Sequence, residues 1–111
     1  MSLPRGALVW ADLEPVQGHE QGGRRPVLVV SRERFNAKSG TVVAFAVTTT
    51  PPAAGYPFAL EVPAGLLPKP SWVKLTQVRT LSTRRLGEQA GTVDPAVVRR
   101  CLAGFLEHCQ P

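Results

Sequence analysis

The stretch Gly18-His19-Glu20-Gln21-Gly22-Gly23-Arg24-Arg25-Pro26 gathers an imidazole, a carboxylate, an amide and two guanidinium groups. An imidazole can shuttle protons near neutral pH, and a guanidinium, charged at every working pH, can neutralise a phosphate. Gly22 and Gly23 open backbone angles closed to other residues, while Pro26 biases Arg25 toward an extended conformation that projects its side chain from a strand mouth. By composition the same stretch also reads as a solvated hairpin loop, the commoner kind, so the residues alone leave both readings open.

Further along, Thr48-Thr49-Thr50 offers three hydroxyls ahead of Pro51-Pro52. Hydroxyls in that position bind phosphate oxygens or simply bond to the backbone where a strand gives way to a loop. Gln77-Val78-Arg79-Thr80 and Arg84-Arg85 add basic groups, and Lys69 and Lys74 flank Trp72. Trp72 and Tyr56 suit stacking on bases of a single strand and suit anchoring a core equally well. His108, near the chain's end, reads as structural, meeting the negative pole of a helix. A Gly-x-Ser-x-Gly nucleophile turn and a phosphate-cradling Walker loop are both missing, which argues against a serine hydrolase and an ATPase. With His19 and His108 the only histidines and no Cys-x-x-Cys spacing, no metal site is expected and no cofactor is implied.

Lys and Arg total 13 against 8 Asp and Glu, a net charge of +5. The resulting pI near 10.0 points to an anionic partner, nucleic acid or acidic protein. The longest apolar run, Val42 to Val47, falls far short of the ~20 residues that span a bilayer, so no membrane association is expected and a cytoplasmic location is. At 111 residues the chain is expected to be one domain, 1–111.

These groups need a scaffold, and before about residue 80 the apolar stretches are short, β-branched and divided by turn residues. The pattern predicts strands over Ala7–Leu13, Pro26–Ser31, Thr41–Thr48, Phe58–Val62 and Ser71–Leu75. Those at Pro26 and Thr41 lack alternation and so are expected to be covered on both faces. Asp94-Pro95 then starts a helix, an Asp cap ahead of a Pro in the first turn. Val98, Cys101, Leu102, Phe105 and Cys109 recur at helical spacing and form one apolar face. Eight helical residues set Cys101 and Cys109 ~12 Å apart, which excludes a disulfide between them. The expected class is mainly β: a compact antiparallel sheet or small barrel carrying a C-terminal amphipathic helix.

The segments Arg5-Gly6 through Trp10, Asp12-Leu13-Glu14-Pro15, Gly18-His19-Glu20-Gln21, Arg25-Pro26-Val27-Leu28-Val29-Val30 and Phe35-Asn36 together resemble the MazF/PemK/Kid family of toxin endoribonucleases. Thr48-Thr49, Gly55-Tyr56-Pro57-Phe58, Gln77-Val78-Arg79 and Gly91-Thr92-Val93 continue the resemblance in order along nearly the whole chain. It implies a small SH3-like, CcdB-like barrel, a homodimer, metal-independent cleavage of single-stranded RNA, and neutralisation by a cognate acidic antitoxin. By the same resemblance Arg25 and Thr48 are the catalytic pair, with His19, Glu20, Thr49, Gln77 and Arg79 as RNA-binding or auxiliary groups. Some relatives carry an acidic residue immediately before the Gln, where this chain has Thr76. Toxins of the same fold that poison gyrase depend on a Trp-Gly tail, whereas this chain ends His108-Cys109-Gln110-Pro111. The implied chemistry is attack by a 2′-hydroxyl, leaving a cyclic phosphate and a 5′-hydroxyl. A noncatalytic basic binder of RNA or of a protein target is the alternative, since fold alone does not decide function.

Overall fold

A computed structural model describes residues 3–13 and 23–111. His19 and Glu20 lie outside the described residues, so the geometry below concerns the other candidate groups.

Six strands make one antiparallel sheet: β1 (Ala7–Asp12), β2 (Arg24–Val29), β3 (Thr41–Thr48), β4 (Ala59–Glu61), β5 (Trp72–Ser82) and β6 (Leu86–Thr92). Their spatial order is β4-β5-β3-β2-β1-β6. A short helix, α1 (Glu33–Ser39), links β2 to β3, and α2 (Pro95–Cys109) ends the fold. The class is the expected mainly β one with a C-terminal helix. Among the described residues no ladder joins β4 to β6, so the barrel is an open sheet with two edges.

The alternation of side chains explains why the central strands read as uniformly apolar. Leu8, Leu28, Phe45, Val47, Val73 and Leu75 pack together on one face with Val98 and Cys101 of α2. Ala7, Val9, Ala11, Val27, Val29, Val42, Ala44 and Leu81 form a second cluster on the other. Both faces are therefore covered, as expected from the unbroken apolar runs. Burying a Leu or Phe in this way stabilises the fold by about 1.5–3 kcal/mol per side chain. Helix α2 begins as its sequence predicts, with the Asp94 carboxylate accepting the Ala96 amide at 2.8 Å, and Phe105 meets Phe45 edge-on at 5.6 Å between centroids.

Two elements escaped the sequence pattern. In α1 the buried residue is polar: Asn36 donates from Nδ2 to the Leu3 carbonyl at 2.9 Å and accepts from the Ser31 hydroxyl. A helix docked through an amide shows no apolar stripe. β6 contains Gly87 and Gly91 and is mostly exposed, so backbone pairing to β1 holds it rather than an apolar face. β5 also runs on to Ser82, beyond the expected end at Leu75. None of the described helices is long and apolar enough to cross a membrane.

Burial pushes the Cys101 thiol up from 9.0 to about 11, with the charge of Arg100 opposing. The raised value means that Cys101 favours the folded state below pH ~9 and loses that contribution as pH climbs toward 11. Cys109 is exposed. In the native protein one thiol is therefore expected to react rapidly with a disulfide reagent at pH 8 and the second only on unfolding. Two equally fast thiols would contradict this packing of α2.

Candidate functional site

The site is built by the pairing of β2 with both of its neighbours. Ala11 of β1 faces Arg25, and Asp12 faces Arg24. On the other side Val27 pairs with Ala46, Leu28 with Phe45 and Val29 with Ala44. Two further steps along that antiparallel register bring Arg25 opposite Thr48. Directly opposed residues project to the same face of a sheet. Val27, Val29 and Ala44 belong to the second cluster, so alternation carries Arg25 and Thr48 to that face as well. Ala11, Ala44 and Ala46 are all buried beside them, and methyl groups occupy little of the space that larger side chains would fill.

Thr48 is only 6% exposed, yet its hydroxyl is polarised for donation. Its Oγ1 accepts the Thr50 amide at 3.1 Å, so the hydroxyl hydrogen is available to an outside acceptor such as a phosphate oxygen. Trp72 pairs with Thr48 across the β3–β5 ladder. Arg79 pairs with Ala44, which brings it to the face of Arg25. Its Nη1 donates to the Leu13 carbonyl at 3.2 Å. Since the Leu13 amide donates to the Gly23 carbonyl at 2.9 Å, Arg79 braces the base of the β1–β2 hairpin from two strands away. This role was not visible in the sequence.

The β3–β5 register jumps between Phe45–Val78 and Val47–Val73. Lys74 to Gln77 consequently bulge opposite Ala46, and half-buried Gln77 closes the bulge. Such bulges re-aim side chains beside functional sites.

Residues adjacent to the pair point the other way. Arg24, Pro26, Val47 and Thr49 line a cavity of about 270 Å³ with Trp10, Leu67, Lys69 and Ser71, and exposed Arg25 reaches its edge from the strand mouth. Thr49, expected alongside Thr48, follows the end of β3 and lines this cavity. Gly87 makes room for Arg24: a Cβ there would lie 3.1 Å from the Arg24 Nη2. Trp10 and Lys69 were not singled out together from sequence because they are far apart in the chain and meet only through the loop between β4 and β5. Among the described residues no three His, Cys, Asp or Glu side chains gather where a metal ion could bind.

Arg25 and Thr48 on one face of paired strands, in this order of strands and with this C-terminal helix, can be set against known proteins. Residues 4–108 match the family described as PemK-like, MazF-like toxins of type II toxin–antitoxin systems. The chain belongs to this family. It is 41% identical over 89 residues to the endoribonuclease MazF of Staphylococcus saprophyticus, covering 78% of this chain and 74% of that relative. The crystal structure of MazF from Deinococcus radiodurans superposes with a TM-score of 0.86 at 34% identity, covering 98% of this chain and 97% of that one. A MazE–MazF structure from the same organism gives a TM-score of 0.78 at 34% identity, over 98% and 96% of the two chains. Family membership makes this chain a MazF-type toxin of a toxin–antitoxin system.

The bond to Thr50 generates a stability prediction. Thr48→Val keeps the side-chain shape and removes the acceptor, which costs about 0.5–1.5 kcal/mol, or roughly 2–6 °C in melting temperature for a chain of this size. The sheet signal in circular dichroism should persist. An unchanged melting temperature would mean that the hydroxyl does not hold the end of β3.

Proposed function

We propose that this MazF-type endoribonuclease toxin cleaves single-stranded RNA without a metal ion, with Arg25 and Thr48 as its catalytic pair. The observation that carries the reading is the register: a guanidinium and a polarised hydroxyl share one face at the open ends of adjacent strands.

RNA holds its own nucleophile. Attack by a 2′-hydroxyl on the neighbouring phosphorus forms the new O–P bond, expels the 5′-oxygen and leaves a cyclic phosphate. The proton lost from the 2′-oxygen is matched by one gained at the 5′-oxygen, so a free 5′-hydroxyl is the second product. Between those states the phosphorane oxygens carry extra negative charge. Arg25 offsets that charge with a fork of donors, while Thr48 donates to a nonbridging oxygen and fixes the phosphate in line. His19 and Glu20, which precede β2 in the chain, supply auxiliary contacts or proton transfer. Gln77 and Arg79 on β5, together with Thr49, extend the contacts along the RNA.

The +5 charge that attracts RNA also attracts an acidic antitoxin. A MazE–MazF assembly exists for the Deinococcus relative. The corresponding antitoxin here would be a largely disordered acidic segment that orders on the basic face of a toxin homodimer and excludes RNA.

One assay tests the chemistry. Purified protein incubated with a long RNA in excess EDTA should cut at a short recurring sequence, and the fragments should carry 5′-hydroxyl and cyclic phosphate ends. Arg25→Ala should lower the rate by about 10²- to 10³-fold with the fold intact. Cleavage that disappears in EDTA and returns with added metal would refute the metal-free route. Near-normal turnover by folded Arg25→Ala would remove Arg25 from the mechanism.

A further inference from the structure

We infer that the cavity behind the catalytic pair, floored by Trp10, Pro26 and Val47, holds one nucleobase of the RNA whose scissile phosphate lies on Arg25 and Thr48. The inference rests on the proposed RNA cleavage and deepens it by naming where sequence is read.

The first support is placement. Arg24-Arg25 and Thr48-Thr49 are consecutive pairs at neighbouring strand ends, and consecutive strand residues project to opposite faces. Alternation therefore starts Arg25 and Thr48 on one side of the sheet and Arg24 and Thr49 on the other, and at the strand mouth Arg25 also borders the cavity, so the two sides meet there. A polymer passing over these strand ends meets both sides in adjacent units. A phosphate on one side and the base beside it on the other satisfies that geometry.

Size and lining are the second support. The cavity of about 270 Å³ is smaller than the roughly 300–1,000 Å³ of sites for drug-sized ligands, as a single base requires. Its walls include half-buried Trp10, whose indole is a stacking platform, and the side chain of Leu67. Ser71 is only 2% exposed and donates its hydroxyl to the Lys69 carbonyl at 2.9 Å. Its oxygen keeps a lone pair to accept from an exocyclic amine. A purely apolar peptide side chain would leave that acceptor unanswered.

Charge is the third. Arg24 and Lys69 are both exposed at the rim, one on β2 and the other on the β4–β5 loop. They suit the two phosphates that flank any base in a chain. The guanidinium of Arg24 lies against the backbone of Gly87 on β6.

The test uses RNA oligonucleotides that contain a mapped cleavage sequence, intact or with an abasic ribose on one or the other side of the scissile phosphate. For the unaltered protein, removing the base that occupies the cavity should lower kcat/KM by about 5- to 150-fold, the range of base–aromatic stacking. Trp10→Leu should show a similar loss on intact RNA and little further loss on the abasic one. Lys69→Gln, at an exposed position, should raise KM with a smaller effect on kcat, and so keeps the question open to measurement if Trp10→Leu fails to fold. Binding of a noncleavable 2′-O-methyl oligonucleotide, with and without its base, separates the two levels of inference. If no RNA is cut but the base still contributes to binding through Trp10, the cleavage reading fails and the cavity assignment stands. Variants that match the unaltered protein on every oligonucleotide overturn the assignment. So does a Trp10→Leu protein that cleaves normally yet escapes neutralisation by an acidic antitoxin, because the cavity would then anchor the antitoxin.

Discussion

The pairing of β2 between β1 and β3 is the constraint on which the rest of the molecule depends. Register in a sheet is all or nothing with respect to faces, since a slip of one residue sends every side chain to the opposite side. Here both faces are buried, so a slip would exchange Leu28 with Val27 and Val29 and misfit two cores at once. The packing energy of those cores therefore fixes where Arg25 and Thr48 point, although neither residue contributes much to a core itself. The placement of Arg25 and Thr48 is inherited from hydrophobic alternation a few residues away.

Much of this was legible in the chain. Strands β2 and β3 stand out because burial on both faces demands continuous apolar residues, β1 as a short apolar run before turn residues, and α2 because an amphipathic helix on a sheet demands one stripe. Arg25 and Thr48 were legible as groups at the ends of such runs, with Pro26 and the Pro51-Pro52 loop marking the boundaries. Their facing was not, because facing depends on pairing between segments that the sequence does not display. α1 and β6 were hidden for a related reason. What holds them is a buried asparagine in one case and backbone ladder bonds in the other, and neither leaves a hydrophobic period. The Trp10 cavity was hidden because its second wall arrives from the loop between β4 and β5.

The choice of small residues completes the arrangement. The face of Arg25 and Thr48 includes Ala11, Ala44 and Ala46 among its valines and leucines, while the opposite face carries Leu8, Leu28 and Phe45. Both faces bury large apolar residues and both contribute stability. The alanines still exclude water from the strands but leave the guanidinium of Arg79 a path to the Leu13 carbonyl. A leucine at Ala44 or Ala46 would add apolar area and would compete for the space that Arg79 uses to brace the hairpin. Both faces thus hold a core, and small residues among the second leave room for Arg79.

The helix on the stable face also reaches the site, through a chain of contacts rather than through any residue of its own. Gly104 of α2 lets Leu75 approach so closely that an added Cβ would stand 2.8 Å from the Leu75 Cδ1, and 3.0 Å from the Tyr56 ring. The Leu75 amide in turn donates to the Phe58 carbonyl at 3.0 Å, and Tyr56 donates its hydroxyl to the Arg100 carbonyl at 3.0 Å. Leu75 is thereby held from both sides. It lies inside the bulge that ends at Gln77, so the close approach at Gly104 bears on a residue of that bulge. A side chain at position 104 would push on Leu75, and the bulge would have to yield before the buried ladder between β2 and β3 did. The disturbance would fall on Gln77 while the Arg25–Thr48 register held. That ordering follows from pairing: β2 is held by ladders on both sides, whereas the bulged residues lack regular partners on β3.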